Sequence, residues 1–156
     1  MTAHMIISTR KPADADFDCL LRIHHAAYHD VVVDQFGSWD EPIHDRCFAD
    51  KWAAGELQVL QMDGRDCGFI WIRESNQAIT VSEIVIDPEF QNRGVGTQFM
   101  RSIQDRASAL HLPVRLRVLR RNRALAFYKR LGFVETGESP THFEMERPAG
   151  SISPAR

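Results

Sequence analysis

The run Ile84-Val85-Ile86-Asp87-Pro88-Glu89-Phe90-Gln91-Asn92-Arg93-Gly94-Val95-Gly96-Thr97 decides how this chain is read. It closes a long β-rich stretch that begins at Ala78. Pro88 has a fixed φ and no backbone N–H, so a strand stops there. After the two glycines, Val95, Phe99, Ile103, Ala107 and Leu110 recur at helical spacing and give one apolar stripe. The segment therefore reads strand, Gly-rich turn, helix. A helix start leaves about four backbone N–H groups without intrahelical partners and carries partial positive charge. Glycine lets a ligand approach such a backbone closely. Together these features make a cradle for an anion, suited to a pyrophosphate. A dinucleotide fingerprint would need glycine where Phe99 stands, and the Gly-Lys-Ser/Thr of a P-loop is absent.

Outward from this turn, the pattern alternates between helix and strand. Met5 to Thr9 is β-rich. Phe17, Leu20, Leu21, His24, Ala27 and Tyr28 recur at three and four, which predicts a helix from Asp16. A second helix follows Trp39, with Asp40 as its cap, Pro42 in its first turn and Gly55 at its end. Leu57 to Met62 and Cys67 to Arg73 read as strands joined by Asp63-Gly64, a hairpin signal. Pro113 ends the helix behind the Gly-rich turn, and Val114 to Leu119 is a strand with Val114, Leu116 and Val118 on one face. Ala124 to Leu131 is helical, with Gly132 just past its end. Phe133 to Thr136 and His142 to Glu146 read as a closing hairpin. The order predicts an α/β fold with a mixed sheet.

Two blocks then point to a family. Gln91-x-x-Gly94-x-Gly96, behind Ile84 to Phe90, resembles the coenzyme A pyrophosphate signature of the GNAT superfamily of N-acetyltransferases. Asn122-Arg123-Ala124-Leu125-Ala126-Phe127-Tyr128-Lys129-Arg130-Leu131-Gly132-Phe133 is similar to the family's later helix, with its Asn, its Phe-Tyr pair and its Leu-Gly-Phe ending. The clear resemblance covers residues 78–146. It implies a mostly antiparallel mixed sheet of six to seven strands with a splayed parallel pair, flanked by about four helices. It also implies direct acetyl transfer from acetyl-CoA, a co-substrate, to an amine of a small molecule or peptide. In such a site the backbones of Ile84, Val85 and Ile86 hold the pantetheine arm and polarise the acetyl carbonyl. Gln91 belongs to the signature, and the N–H groups of Asn92, Arg93, Gly94, Val95, Gly96 and Thr97 hold the pyrophosphate. Asn122 contacts the cofactor further along. Tyr128 matches the family tyrosine that faces the thiol.

Physical chemistry narrows the roles. A phenol with a reference pKa of about 10 is protonated at neutral pH and can give its proton to a departing thiolate. Packing of a core tyrosine is the competing reading of Tyr128. Glu83 shares a strand face with Ile79, Val81 and Val85. A carboxylate in an apolar row is costly unless it is paired or useful. Glu83 is thus a candidate base, or else the partner of Arg115 or Arg117 on the neighbouring strand. Some relatives place an acid where these arginines stand. Trp39 and Glu41, with Asp40, are candidates to border the acceptor site, and so is His142. Helix capping and core packing explain the first three equally well, and a solvated strand histidine explains His142 at least as well.

Composition excludes several classes. The chain has 156 residues, 44% hydrophobic and 26% charged, with a formal net charge of -2. That is enough apolar material for one core and too little positive charge for a nucleic-acid or anionic-membrane protein. The basic stretch from Arg115 to Arg130 lacks aromatic interleaving and reads as a solvated face with contacts to coenzyme phosphates. Cys19, Cys47 and Cys67 have no metal spacing and read as reduced, mostly buried thiols. None lies in either motif, which argues against a covalent enzyme intermediate. His24, His25 and His29 suggest a metal cluster, but no Cys joins them and adjacent helical residues should point apart, so no metal is expected. No secretory signal and no apolar run of roughly 18 residues is visible, and the expected setting is cytoplasmic. Residues 1–147 are expected to form one domain and 148–156 a tail, and a homodimer is left open. The competing function is an acyl-CoA-binding sensor or partner domain without turnover, which would need neither Tyr128 nor a base.

Overall fold

A computed structural model describes residues 4–151. Along the chain run β1 (Ile7–Arg10), α1 (Phe17–Phe36), α2 (Glu41–Ala53), β2 (Leu57–Met62), β3 (Arg65–Glu74) and β4 (Ile79–Ile86). Then follow α3 (Val95–Ala109), β5 (Val114–Leu119), α4 (Ala124–Arg130), β6 (Val134–Glu138) and β7 (His142–Arg147). Two short 3-10 turns, Asp14–Asp16 and Pro88–Phe90, carry no sequence periodicity and were not expected. The seven strands form one mixed sheet in the order β1-β2-β3-β4-β5-β7-β6. β4 and β5 are parallel, and their register runs from Ile79↔Val114 only to Val81↔Leu116, although β4 continues to Ile86 and β5 to Leu119. This is the splayed parallel pair and the fold class the sequence implied.

The chain divides into two compact units, Met1–Trp71 with Glu83–Gly96 and Ile72–Ser82 with Thr97–Arg156. In the first unit, Asp40 caps α2 by accepting from the Ile43 N–H at 3.2 Å, and Gly37, at φ 87°, lets the chain leave α1. Asp63 and Gly64 both have positive φ, as a tight two-residue hairpin requires. Leu20, Ile23, Phe48, Leu57, Val59, Phe69 and Val85 make the core of this unit, so α1 and α2 pack on the strands. Arg10 bonds both oxygens of Asp16 and both of Asp66, which holds the Asp16 carboxyl down at about 2 and ties β1 to the first 3-10 turn and to β3. Of the three cysteines only Cys67 is buried; Cys19 and Cys47 are exposed, contrary to the expectation, because they sit on the outer faces of α1 and α2.

In the second unit Val114, Leu116 and Val118 form the buried face of β5, as their alternation predicts. α3 buries Phe99, Met100, Gln104 and Ala107, whereas Leu110 lies past its end and is exposed. Gln104, wholly buried, donates to the Leu131 carbonyl at 2.8 Å, which fixes α3 to the loop behind α4. The tail expected at 148–156 lies partly outside the described residues. Its first part, Pro148 to Ser151, closes a turn in which the Ser151 hydroxyl donates to the Pro148 carbonyl.

Gly68 shows how closely backbones approach in the first unit. A Cβ added there would collide with the Val85 carbonyl of β4, so no side chain fits. Gly68→Ala should therefore push β3 from β4 and destabilise the protein by about 1–3 kcal/mol, the usual cost of overpacking. Urea unfolding of the purified variant measures it, and wild-type stability would refute the close approach.

Candidate active site

The Gly-rich turn is built from both ends. Asp87 donates its backbone N–H to the Cys67 carbonyl of β3 at 2.8 Å, and its side chain accepts from the Glu89 N–H at 3.1 Å. Strand end and 3-10 turn are thereby locked together. Buried Phe90 anchors the turn, with the guanidinium groups of Arg65 and Arg93 over its ring at 5.0 and 5.3 Å. Asn92 and Gly94 both have positive φ, 61° and 83°. Residues alternating in this way turn successive N–H groups to one side, making a concavity that suits an anion. Among the described residues, no backbone–backbone bond outside helices and strands is donated by Asn92, Arg93, Gly94, Val95 or Gly96. Gln91 turns its side-chain amide back to the Ile86 carbonyl at 3.1 Å.

Glu83 is buried in the row Ile79, Val81, Glu83, Val85, as the alternation predicts. Its partners are not the expected arginines. The register Thr80↔Arg115 puts Arg115 on the opposite strand face from that row, where it pairs with Glu146 at 2.8 Å, and Arg117 shares that outward face. Glu83 Oε1 instead accepts from Lys51 Nζ of α2 at 2.7 Å and from the Tyr28 hydroxyl of α1 at 2.9 Å. Its other oxygen, Oε2, is buried and has no hydrogen-bond partner.

Behind Lys51 stands a chain of polar groups that sequence reading missed. Lys51 Nζ lies 3.4 Å from His24 Nε2, His24 Nδ1 lies 3.1 Å from His25 Nδ1, and His25 Nε2 lies 2.6 Å from Asp45 Oδ1. An ammonium has no acceptor, so His24 Nε2 accepts from Lys51. His24 then carries its proton on Nδ1 and donates to His25, whose remaining N–H goes to Asp45. Burial, with the Lys51 charge beside it, lowers the His24 pKa to about 3 and keeps this ring neutral. His24 and His25 thus meet rather than point apart, because the two rings turn toward each other from adjacent positions. The signal was present in the α1 pattern, where His24 and Tyr28 occupy the apolar stripe.

Trp39 stacks on His44 at 3.8 Å with 4° between the planes, and the His25 ring meets it edge-on at 5.2 Å. Glu41 is exposed in the first turn of α2. Ligand atoms of His25, Glu41 and Asp45 lie within 4.8 Å of one another.

In the second unit, Tyr128 is buried on α4 against Phe127 and Phe133, and burial pushes its phenol up to about 12. Asn122 accepts from the Ala124 N–H at 2.9 Å and so starts α4. His142 bonds the Thr141 hydroxyl at 2.8 Å, and burial and the Arg117 charge lower its pKa. Within the basic stretch, Arg115 pairs with Glu146, Arg120 with Glu138 and Lys129 with Glu135.

Comparison with known proteins agrees with this geometry. The model of the acetyltransferase (GNAT) domain matches residues 53–135, just over half of the chain. An uncharacterized N-acetyltransferase of Methanocaldococcus jannaschii is 35% identical over 86 residues. That alignment takes in 49% of this chain, which spans only 38% of the curated relative's length. Among solved structures, the PaiA N-acetyltransferase of Thermoplasma acidophilum in complex with coenzyme A superposes with a TM-score of 0.70 at 17% identity, over 92% of this chain and 99% of that one. The ribosomal-protein-S18-alanine N-acetyltransferase of Escherichia coli gives 0.66 at 19%, over 95% and 97%. At such identities these two establish the fold. No described helix is long and apolar enough to cross a membrane.

The neutral His24 has a consequence for stability. The unfolded chain binds a proton at this imidazole below about pH 6.5, whereas the native ring resists it down to about 3. Stability should fall as pH falls through that window, by at most about 1.4 kcal/mol per pH unit from this one group. His24→Gln keeps an acceptor for Lys51 and should flatten that share of the slope. Urea unfolding of both proteins at pH 7 and pH 5 checks it; equal slopes would show that His24 is protonated in the native state.

Proposed function

The chain belongs to the GNAT acetyltransferase family, and from that premise we propose that it moves an acetyl group from acetyl-CoA directly to an amine of a small molecule or peptide. The observation that carries this reading is the turn ahead of α3, with left-handed backbone at Asn92 and Gly94 and N–H groups not spent on other backbone. Asn92, Arg93, Gly94, Val95, Gly96 and Thr97 hold the pyrophosphate there, and Asn122 keeps its side-chain N–H groups for the coenzyme. Backbone groups alternate along a strand, and the Val85 carbonyl faces Gly68 of β3. Ile84 and Ile86 are thus the pair whose backbone groups face the pantetheine arm, and Val85 serves through its side chain in the core.

The thioester supplies an activated acetyl group, and the chain's own residues manage the protons. As the C–N bond forms and the C–S bond breaks, the amine gives up one proton and the thiolate takes one. Glu83 accepts the first at Oε2, directly or through water. Tyr128, protonated throughout the neutral range, donates the second. The body of the acceptor rests against Trp39, stacked on His44, with Glu41 at its edge. A binding module without turnover is less well supported, because it gives no use to a buried carboxylate oxygen without a partner, which is costly to keep.

Three outcomes test this reading. Coenzyme A should raise the melting temperature of the wild type, since a ligand that binds only the native state stabilises it. Gly94→Val, strained at φ 83° and bulky in the cradle, should abolish that rise. Tyr128→Phe should lower turnover by about 100- to 10,000-fold while leaving coenzyme affinity nearly unchanged. The assay is free thiol release from acetyl-CoA with n-butylamine, spermidine, glycinamide and a short peptide as acceptors. Wild-type turnover by Tyr128→Phe returns that ring to a packing role, and no thiol release with any acceptor favours the non-catalytic module.

A further inference from the structure

We infer that Lys51 is a positioning residue for the reaction, reserving Glu83 Oε2 as the proton-accepting atom by occupying Oε1 with its ammonium group. This rests on the reading of Glu83 as proton acceptor given above. The two carboxylate oxygens have sharply different surroundings. Oε1 takes both available donors, Lys51 Nζ at 2.7 Å and the Tyr28 hydroxyl at 2.9 Å. Oε2 is buried and takes none. A purely structural ion pair would gain by sharing its donors between both oxygens or by lying at the surface, where water completes the set. Here one oxygen is saturated by the protein and the other is left for a group the protein does not supply.

Lys51 can do this because its own ammonium is fixed. His24 Nε2 takes a second of its protons at 3.4 Å, and the Tyr28 ring lies 5.7 Å away, within cation–π range. His24 is held in turn by His25, and His25 by Asp45, so the proton positions in this chain are set from the surface inward. Other groups around Glu83 do not replace the cation. From α1 it meets Tyr28, with neutral His24 behind Lys51, and from α2 it meets Lys51; on its own strand Val81 and Val85 flank it, and Phe69 of β3 belongs to the apolar core beside Val85. Among the described residues, Lys51 is therefore the one cation bonded to this carboxylate.

An adjacent cation lowers a carboxyl pKa by about 1–3 units. Lys51 is the cation in that position here, so its charge as well as its hydrogen bond is what the variants below remove or keep. The test is the pH dependence of kcat/KM with acetyl-CoA and whichever of the four amines above turns over fastest. Three variants are compared. Lys51→Gln keeps a donor and loses the charge. Lys51→Arg keeps both. Glu83→Gln removes the acceptor. The expected result is an acid limb moved up by about 1–3 pH units in Lys51→Gln, leaving activity at pH 6 at least about tenfold below its own value at pH 8.5, with Lys51→Arg near wild type and no such limb in Glu83→Gln. If Glu83→Gln loses the limb but Lys51→Gln keeps it at the wild-type pH, Lys51 serves only stability and the inference falls, while the base reading stands. If Glu83→Gln retains the wild-type limb, the base reading falls and takes the role of Lys51 with it. Melting curves recorded alongside separate a loss of fold from a shift of profile. Should Lys51→Gln not fold, Lys51→Met is read against Lys51→Arg in the same way.

Discussion

A carboxylate buried in an apolar strand row must find compensation, and most of what surrounds Glu83 follows from that requirement. The compensation comes from two helices. Tyr28 lies one turn after His24 on the stripe of α1 that buries Leu20 and Ile23, and Lys51 lies three residues after Phe48 on the face that α2 turns to the core. Each polar group rides on an apolar anchor. Hydrophobic packing brings the helices to the strands, and the position of Glu83 sets which turns of the helices must face it. The long lysine side chain suits the task, because its methylene stem lies along apolar surface while its head reaches an acceptor. The arrangement leaves one carboxylate oxygen unsatisfied. A buried acceptor without a protein partner calls for an explanation of its own.

The Gly-rich turn obeys a different constraint. Its geometry is set by the backbone and is independent of side-chain chemistry. Asp87 and Phe90 fix where the strand ends and the turn begins, one by hydrogen bonds and the other by burial between two guanidinium groups. With both ends held, Asn92 and Gly94 can occupy left-handed conformations that a free segment would rarely populate. A site made of backbone N–H groups is insensitive to most side-chain changes. Such a site leaves its trace in glycines and in the residues that anchor it.

Much of this was legible from residue order. Strand alternation placed Glu83 in a buried row and Val114, Leu116 and Val118 on one face, because the two-residue period of a strand is nearly invariant. Turn chemistry located the Asp63-Gly64 hairpin and the Asp40 cap, since both depend on local backbone preferences. The errors share a cause. Arg115 and Arg117 were paired with Glu83 by adjacency of strands, but the register Thr80↔Arg115 turns them to the other face. His24 and His25 were separated by helical geometry at Cα, although rotation about the side chains brings their rings together. Leu110 was counted into a helix that ends one residue earlier.

The sequence by itself determined the main elements, the fold class, the family and the position of the Gly-rich turn, because each is written in contacts or conformations spanning a few neighbouring residues. Only the tertiary structure decided what Glu83 touches. Tyr28 is 55 residues away along the chain and Lys51 is 32, and no local period relates them to β4. Their meeting depends on how α1 and α2 pack over the strands and on which rotamers that packing permits. The same packing set the neutral state of His24 and gave Oε2 of Glu83 no protein partner, since burial and the field of Lys51 act through space and have no counterpart in sequence order.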